Sequence, residues 1–161
     1  MKTALLTTIV ALFAAAALAG AADEPNLLRL STCQDSWLDW KSDEPRMSRY
    51  VAHLQQKFVR SEQDASFAPK TPTTLLGHPL AQVYPQSVGM GVGFSALLNV
   101  PFAQARQSFE KQLGRPLTCS SSDGMKACEL SLGDKKTAML MASDNPASKT
   151  TLLGCYYYYE K

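Results

Sequence analysis

The sequence has little of the chemistry that enzymes most often use, and this scarcity excludes several kinds of site. It contains only two histidines, and His53 has Arg49 and Lys57 at the positions that a helical metal pair would need. Cys-x-x-Cys, the motif of thiol redox enzymes, is absent. A dinucleotide-binding loop has the pattern Gly-x-Gly-x-x-Gly at the start of a helix. Starting from Gly89 and Gly91, the third glycine of that pattern would stand at position 94, which is Phe94. We therefore expect no metal site and no cofactor, and we identify no catalytic residue.

A strong charge of one sign is also missing, which bears on the possible partners. The formal net charge is +2, and loss of Lys2 with an N-terminal leader lowers it to +1. A nearly neutral domain has no general attraction for nucleic acid or for an anionic membrane. No apolar stretch beyond residue 22 reaches the roughly 20 residues that cross a bilayer. We expect neither nucleic-acid binding nor a transmembrane segment in the mature chain.

An export signal is present at residues 1–22. Lys2 precedes an apolar run from Ala4 to Ala19, and small residues continue through Ala22. A positive start, an apolar core and small residues at the end are typical of a cleavable signal peptide. The run is too short and too rich in alanine for a membrane anchor. We predict cleavage between Ala19 and Ala22, which leaves residues 23–161 as a single exported domain, periplasmic or secreted.

Two helices are predicted from start signals, stop signals and apolar spacing. Residues 23–42 show no period and are interpreted as irregular, whereas Ser42-Asp43-Glu44-Pro45 is a helix start. The first helix is predicted over residues 44–62, and its apolar stripe consists of Met47, Tyr50, Val51, Leu54 and Phe58. The second helix is predicted to open at Pro101 and to stop at Gly114.

The remaining segments favour strands. A loop is predicted over residues 63–79, followed by a short strand at Leu80–Tyr84 and a strand with one glycine-lined face at Val88–Leu98. Four further strands, separated by tight turns, are predicted at Leu117–Ser122, Met125–Leu132, Lys136–Ser143 and Thr150–Tyr159. The predicted fold class is therefore α+β, with two helices packed on an antiparallel meander sheet of about five strands and with two disulfides.

The turn at Asp123-Gly124 determines how the four cysteines pair. An Asp-Gly pair between strands favours a two-residue hairpin loop, and counting outward from it places Cys119 opposite Cys128. The flanking pair is hydrogen-bonded and the pairs then alternate, so these two cysteines form a non-hydrogen-bonded pair with Cα atoms about 4.5 Å apart. A disulfide accepts that distance.

By elimination, Cys33 pairs with Cys155 and ties the N-terminal segment to the last strand. The alternative, a zinc site with four thiolates, does not fit Cys-x8-Cys with two distant partners. An exported protein also favours disulfides. The helix that ends in Leu-Gly-Arg-Pro before disulfide-linked strands resembles the unit of exported β-lactamase-inhibitor-like domains. The resemblance concerns architecture alone and transfers no functional residue.

Aromatic side chains are the best candidates for binding. Tyr156 and Tyr158 alternate with Cys155 along the last strand, so they face away from the side that carries the disulfide. Trp37 and Trp40 follow Cys33, whose bridge would bring them near this strand. Tyrosine and tryptophan are enriched where binding energy concentrates. The alternative is that both faces of the sheet are covered, in which case these rings belong to the core.

The sequence therefore favours a small exported non-catalytic module, binding or inhibitory, that engages a protein or envelope ligand through its sheet face. The alternative is an exported hydrolase acting on cell-wall or glycan substrates, for which Asp39, Glu44 and His53 are the available acids and base. A structural envelope protein without a ligand is a third hypothesis.

Overall fold

The structure is a computed structural model that describes residues 24–37, 44–88, 91–133 and 135–158. The predicted signal peptide, Asp39 and Trp40 lie outside the described residues, as does the side chain of Glu44. The helices are α1 (Glu24–Ser31), α2 (Glu44–Lys57) and α3 (Phe102–Leu113). The strands are β1 (Phe58–Arg60), β2 (Phe67–Pro69), β3 (Thr74–Leu75), β4 (His78–Val88), β5 (Gly91–Leu98), β6 (Thr118–Ser122), β7 (Met125–Ser131), β8 (Lys136–Ser143) and β9 (Thr151–Tyr158).

The predicted architecture of two helices on about five strands is wrong. The described part of the chain forms a nine-stranded antiparallel sheet with three helices. Residues 24–31, interpreted as irregular, form α1, and the predicted end of the first helix is strand β1. The predicted loop at residues 63–79 contains β2 and β3, and β4 continues through Pro85. The broad α+β character and the two disulfides remain.

The strand order is β1-β2-β4-β5-β9-β8-β7-β6, with β3 paired to β4 outside this path. Strands β6 to β9 form the predicted meander, and its last strand, β9, pairs with β5. The sheet is therefore two hairpin-built halves joined along the β5–β9 ladder. The glycine-lined strand lies at its centre.

All three helices pack on one face of the sheet. Leu27 of α1, Leu54 of α2 and Phe109 of α3 are buried in one apolar cluster. The strand residues of that cluster include Phe94 and Leu153, which share one parity along β5 and β9. Because successive side chains of a strand point to opposite faces, the other parity forms a second face against which no described helix packs.

We call this second face the open face. Across β5, β9, β8 and β7 its residues form three rows, namely Leu97-Leu152-Met141-Ala127, Ser95-Gly154-Met139-Glu129 and Gly93-Tyr156-Thr137-Ser131. Glu129 is the only charged residue in these rows. The open face is therefore a nearly uncharged surface of tyrosine, methionine, leucine and small residues.

The register predicted from the Asp123-Gly124 turn is confirmed. Both turn residues have positive φ, 52° and 75°, which is the type I′ conformation that suits a two-residue hairpin. Cys119 lies opposite Cys128 with the two Cα atoms 3.9 Å apart, and a disulfide joins them. The second disulfide joins Cys33 to Cys155, so the two pairs are those derived from the turn.

Glu110 fastens the end of α3 to the start of β6. Its Oε1 accepts hydrogen bonds from the Leu117 backbone N–H at 2.9 Å and from Arg106 Nε at 2.8 Å. These two contacts, first the backbone N–H and then the guanidinium, hold the pKa of Glu110 below its ordinary value. α3 itself ends as predicted, because Gly114 adopts the left-handed conformation at φ 68°.

Substituting Glu110 by Gln is expected to destabilise the protein by about 1 kcal/mol at neutral pH, because the charge-assisted bond to Arg106 is lost. A carboxyl whose folded-state pKa is depressed stabilises the fold above its unfolded pKa, about 4.3 for Glu. That stabilisation disappears as the pH falls through the folded-state value. Urea unfolding of both proteins across pH should therefore show the difference at pH 7 and its loss in acid; a constant difference would contradict this account.

Candidate functional site

Tyr156 lies flat over Gly93 in the middle of the open face. A Cβ atom added to Gly93 would meet Cε1, Cζ and Cδ1 of the Tyr156 ring at 3.0 to 3.3 Å. The hydroxyl of Tyr156 donates to Oε1 of Gln86 at 2.6 Å, reaching across β5 to β4. The close neighbour that the glycine-lined strand predicts is therefore an aromatic ring, which covers the bare backbone.

Burial raises the pKa of Tyr156, and the neighbouring Tyr158 raises it further. The hydroxyl therefore stays protonated at physiological pH and remains a hydrogen-bond donor. Since it donates to the side-chain oxygen Oε1 of Gln86, the side-chain amide N–H groups of Gln86 are available to donate elsewhere.

A second tyrosine–glutamine pair lies on β4, on the same face. Tyr84 donates to Oε1 of Gln82 at 2.5 Å, and Tyr84 pairs with Ser95, one row away from Gly93. Burial, and then the charge of Asp64, raises the pKa of Tyr84. The open face thus carries two neutral tyrosines with their hydroxyl groups fixed by glutamine, an arrangement that orients polar groups without placing a charge.

Of the three described aromatic residues of the predicted set, Tyr158 is the most accessible. It lies opposite Gly91 at the end of the β5–β9 ladder and is 55% exposed. Its own backbone N–H donates to the carbonyl oxygen of Lys135, which fixes the strand end. Tyr158 is therefore an exposed ring on a rigid strand, next to the half-buried Tyr156.

Trp37 lies on the other side of the sheet. Its indole Nε1 donates to the backbone oxygens of Gly93 at 2.7 Å and of Gln86 at 3.2 Å. The ring lines an apolar cavity of about 230 Å³ with Leu54, Phe67 and other residues of the helix-bearing side. The structure thus brings Tyr156 and Tyr158 together on the open face and places Trp37 beneath the sheet, while Trp40 lies outside the described residues.

The apolar part of the open face was missed in the sequence analysis. Met139, Met141, Leu152 and Leu97 are half-buried neighbours in its first two rows. Methionine suits surfaces that adapt to a partner, because its side chain is flexible and polarisable. The signal was available, since strand β8 alternates small or buried residues with the two methionines.

A polar cleft of about 370 Å³ lies between α1 and α2 and is lined by Asn26, Arg29, Asp35, Tyr50 and His53. Asp35 is the buried carboxylate of this cleft. It accepts hydrogen bonds from the Ser36 backbone N–H and the Tyr50 hydroxyl, and Arg29 lies 3.5 Å away. The backbone oxygen of Asp35 also accepts a hydrogen bond from the hydroxyl of Tyr157. These bonds tie the segment after α1 to α2 and to β9.

The cleft is the site that the alternative hydrolase would use, since it holds His53 and a carboxylate. Among the residues whose side chains the structure describes, the lining contains no serine, threonine or cysteine, and its one hydroxyl, that of Tyr50, donates to Asp35. Elsewhere, His78 Nε2 lies 2.9 Å from Ser108 Oγ, and among the described residues no carboxylate is bonded to this histidine. Among the described residues, no group of three or more metal-ligating side chains could hold an ion.

None of the described helices combines the length and the apolar character that a membrane crossing requires. In the comparisons with known proteins, no family model, no curated protein and no solved structure matches this chain.

Proposed function

We propose that this chain is a small exported, non-catalytic binding or inhibitory module that engages a protein or envelope ligand through the open face. The observation that carries the proposal is the one-sided packing of the helices, which leaves a nearly uncharged face with an exposed tyrosine on the opposite side. Export rests on the sequence signal at residues 1–22, and the two disulfides are compatible with an oxidising compartment.

The composition of the open face supports binding more than solvation. A sheet face exposed only to water normally alternates polar and charged residues. Here the three rows hold leucine, methionine and tyrosine around a floor of glycine and serine, with Glu129 as their one charge. Interface cores have the same character, with charged residues depleted and tyrosine and methionine enriched.

The test compares variants in a crosslinking pulldown from the native envelope, with captured proteins and glycans identified by mass spectrometry. Tyr158→Ser and Met141→Ser are expected to weaken the capture of a given ligand tenfold or more, because they remove the exposed ring and an adaptable apolar neighbour. Both side chains project from formed strands, so the change leaves the core intact. Affinities measured with the purified ligand then quantify the loss.

Val59→Ser is the matched control. Val59 is 56% exposed, like Tyr158 at 55%, but lies on β1, four strands from β9 in the sheet order. It should bind as well as the unmodified protein. His53→Ala distinguishes the proposed function from the alternative hydrolase. If the open face binds the ligand, this variant should leave ligand capture unchanged. Loss of capture with His53→Ala, together with full capture by Tyr158→Ser, would contradict the proposed face.

A further inference from the structure

The outer edge of strand β6 is an exposed row of backbone hydrogen-bonding groups. β6 ends the sheet, and all five of its residues are exposed. The pair Ser122 and Met125 flanks the turn and is hydrogen-bonded, so the ladder alternates from there. The N–H and C=O groups of Ser120 therefore point to β7, while those of Cys119 and Ser121 point outward. No described strand pairs with them.

This free edge is bounded at both ends. Before β6, the N–H of Leu117 donates a hydrogen bond to Glu110. The C=O of Leu117 accepts a hydrogen bond from Arg106 Nη2 at 3.4 Å, so both backbone groups of Leu117 have partners on α3. After β6, the chain enters the type I′ turn at Asp123. Within the strand, the edge therefore presents four outward groups, the N–H and C=O of two residues.

Most edge strands are protected against pairing with another chain by charge, proline, shortness or a bulge. At the opposite end of the sheet, β1 is only three residues long and carries Arg60. β6 is longer, contains neither a charge nor a proline, and is held to β7 by the disulfide Cys119–Cys128. The disulfide holds β6 in its hairpin with β7, which lowers the entropic cost of adding a strand.

We propose that the occupant of this edge is a second copy of the chain, paired antiparallel through β6 about a two-fold axis at Ser120. This register places Cys119 of each copy opposite Ser121 of the other. All four outward N–H and C=O groups of each copy then form hydrogen bonds across the axis. Ser120 then faces its own equivalent, and Thr118 faces Ser122. These are small hydroxyl-bearing pairs that fit side by side on a sheet.

Charge also favours the self-pairing. β6 itself is neutral, so the axis brings no like charges together. Arg115 lies just before the strand and Asp123 just after it, and both are exposed. An antiparallel copy brings the basic end of one strand to the acidic end of the other, twice. The dimer extends the open faces of the two copies into one surface, which goes beyond the proposed function and does not depend on it.

Disulfide trapping tests the register directly. Ser120 and its equivalent would form a non-hydrogen-bonded pair with Cα atoms about 4.5 Å apart, a distance that a disulfide accepts. Mild oxidation of purified Ser120→Cys should therefore give a covalent dimer, with a 120–120 link in peptide mapping. Ser122→Cys is the matched control, because its two copies would be separated by about 13 Å. Equal crosslinking of both variants, or none, would overturn the proposal.

Analytical ultracentrifugation tests the association without a crosslink. The unmodified protein should move reversibly from monomer to dimer through the micromolar to millimolar range. Ser121→Pro removes one outward N–H from each copy, two bonds in all, and should weaken dimerisation at least tenfold. An edge strand accepts proline where no ladder bond is lost, so its thermal unfolding should be unchanged. Ser121→Ala keeps the N–H and should dimerise normally.

A protein that stays monomeric throughout this range overturns the proposal, and so does equal association of Ser121→Pro and Ser121→Ala. Protection of the β6 amides from hydrogen exchange by an added extended peptide, without self-association, would assign the edge to a heterologous strand instead.

Discussion

Replacing both Cys33 and Cys155 by serine is expected to lower the free energy of unfolding by about 4 to 5 kcal/mol, in the chain-entropy description of a crosslink. The two residues are 122 positions apart, so their disulfide constrains nearly the whole described chain in its unfolded state. Both sulfur-bearing residues are buried. Serine hydroxyls at those positions would add the cost of burying polar groups.

The local structure around this disulfide adds to the expected loss. Cys33 lies in the short segment that follows α1, at a positive φ of 62°. The bridge and the bond from Tyr157 to the backbone of Asp35 hold that segment on β9. Without the bridge, α1 loses its covalent attachment to β9, and the packing of Leu27 and Leu30 and the remaining hydrogen bonds must hold it.

The other disulfide supplies the control. Cys119 and Cys128 are 9 positions apart, and Cys119 is exposed. The double serine variant at that hairpin should cost about 2 to 3 kcal/mol. Urea unfolding of the two double variants, monitored by tryptophan fluorescence, gives both free energies of unfolding on one scale. A hairpin variant that is as destabilised as the Cys33/Cys155 variant, or more so, would contradict the loop-length explanation.

Substituting Gly154 by Ala is expected to destabilise the protein by about 3 kcal/mol or more, as overpacking against an immovable neighbour does. A Cβ at position 154 would meet the backbone oxygen of Phe94 at less than contact distance and the Cα of Ser95 at 2.7 Å. Both belong to β5, which is paired on its two sides. The backbone of β5 cannot retreat without breaking one of its ladders.

Gly93→Ala is the matched control on the facing strand. There the three heavy atoms nearest to an added Cβ all belong to the Tyr156 ring, at 3.0 to 3.3 Å. A side chain can tilt by a few tenths of an ångström, so we expect a loss of at most about 1 kcal/mol. Urea midpoints of the two variants test the difference, and equal destabilisation would contradict it. Gly93→Ala should also disturb the bond from Tyr156 to Gln86 and thus the centre of the open face.

The part of the fold set by local chemistry was predictable from the sequence. Asp123-Gly124 is a turn that few other residue pairs form, and it predicted the cysteine register because each step along a strand has a fixed partner. Gly114 predicted the end of α3, since a left-handed residue stops a helix there. These features depend on a few neighbouring residues.

The missed elements are short and depend on distant contacts. α1 has eight residues, too few for a clear helical period, and is held by the core and by the bridge at Cys33. β1, β2 and β3 have two or three residues each. β4 continues through Pro85 because β2 pairs with it only at Val83, which leaves Pro85 paired on one side, where the missing N–H costs little.

The candidate site was predictable in part for the same reason. Alternation along β9 predicted that Tyr156 and Tyr158 lie on the face of the sheet that does not carry Cys155, and the structure shows this arrangement. The position of Trp37 was not predictable, because its indole binds two backbone oxygens that are 49 and 56 residues away in sequence. The cleft around Asp35 likewise joins residues of α1, α2 and the segment between them.

The central place of β9 in the sheet has a consequence for the order in which the molecule can form. The β4–β5 hairpin and the β6–β8 meander are each made of neighbouring segments and can pair early, but each keeps one long unpaired edge until β9 lies between them. Sheets closed by such distant contacts form slowly, and their open edges invite association in the meantime. If the chain emerges N-terminus first, this interval lasts until residue 158 has been released. A holding chaperone that covers strand edges would shorten the time at risk more than one that recognises helices.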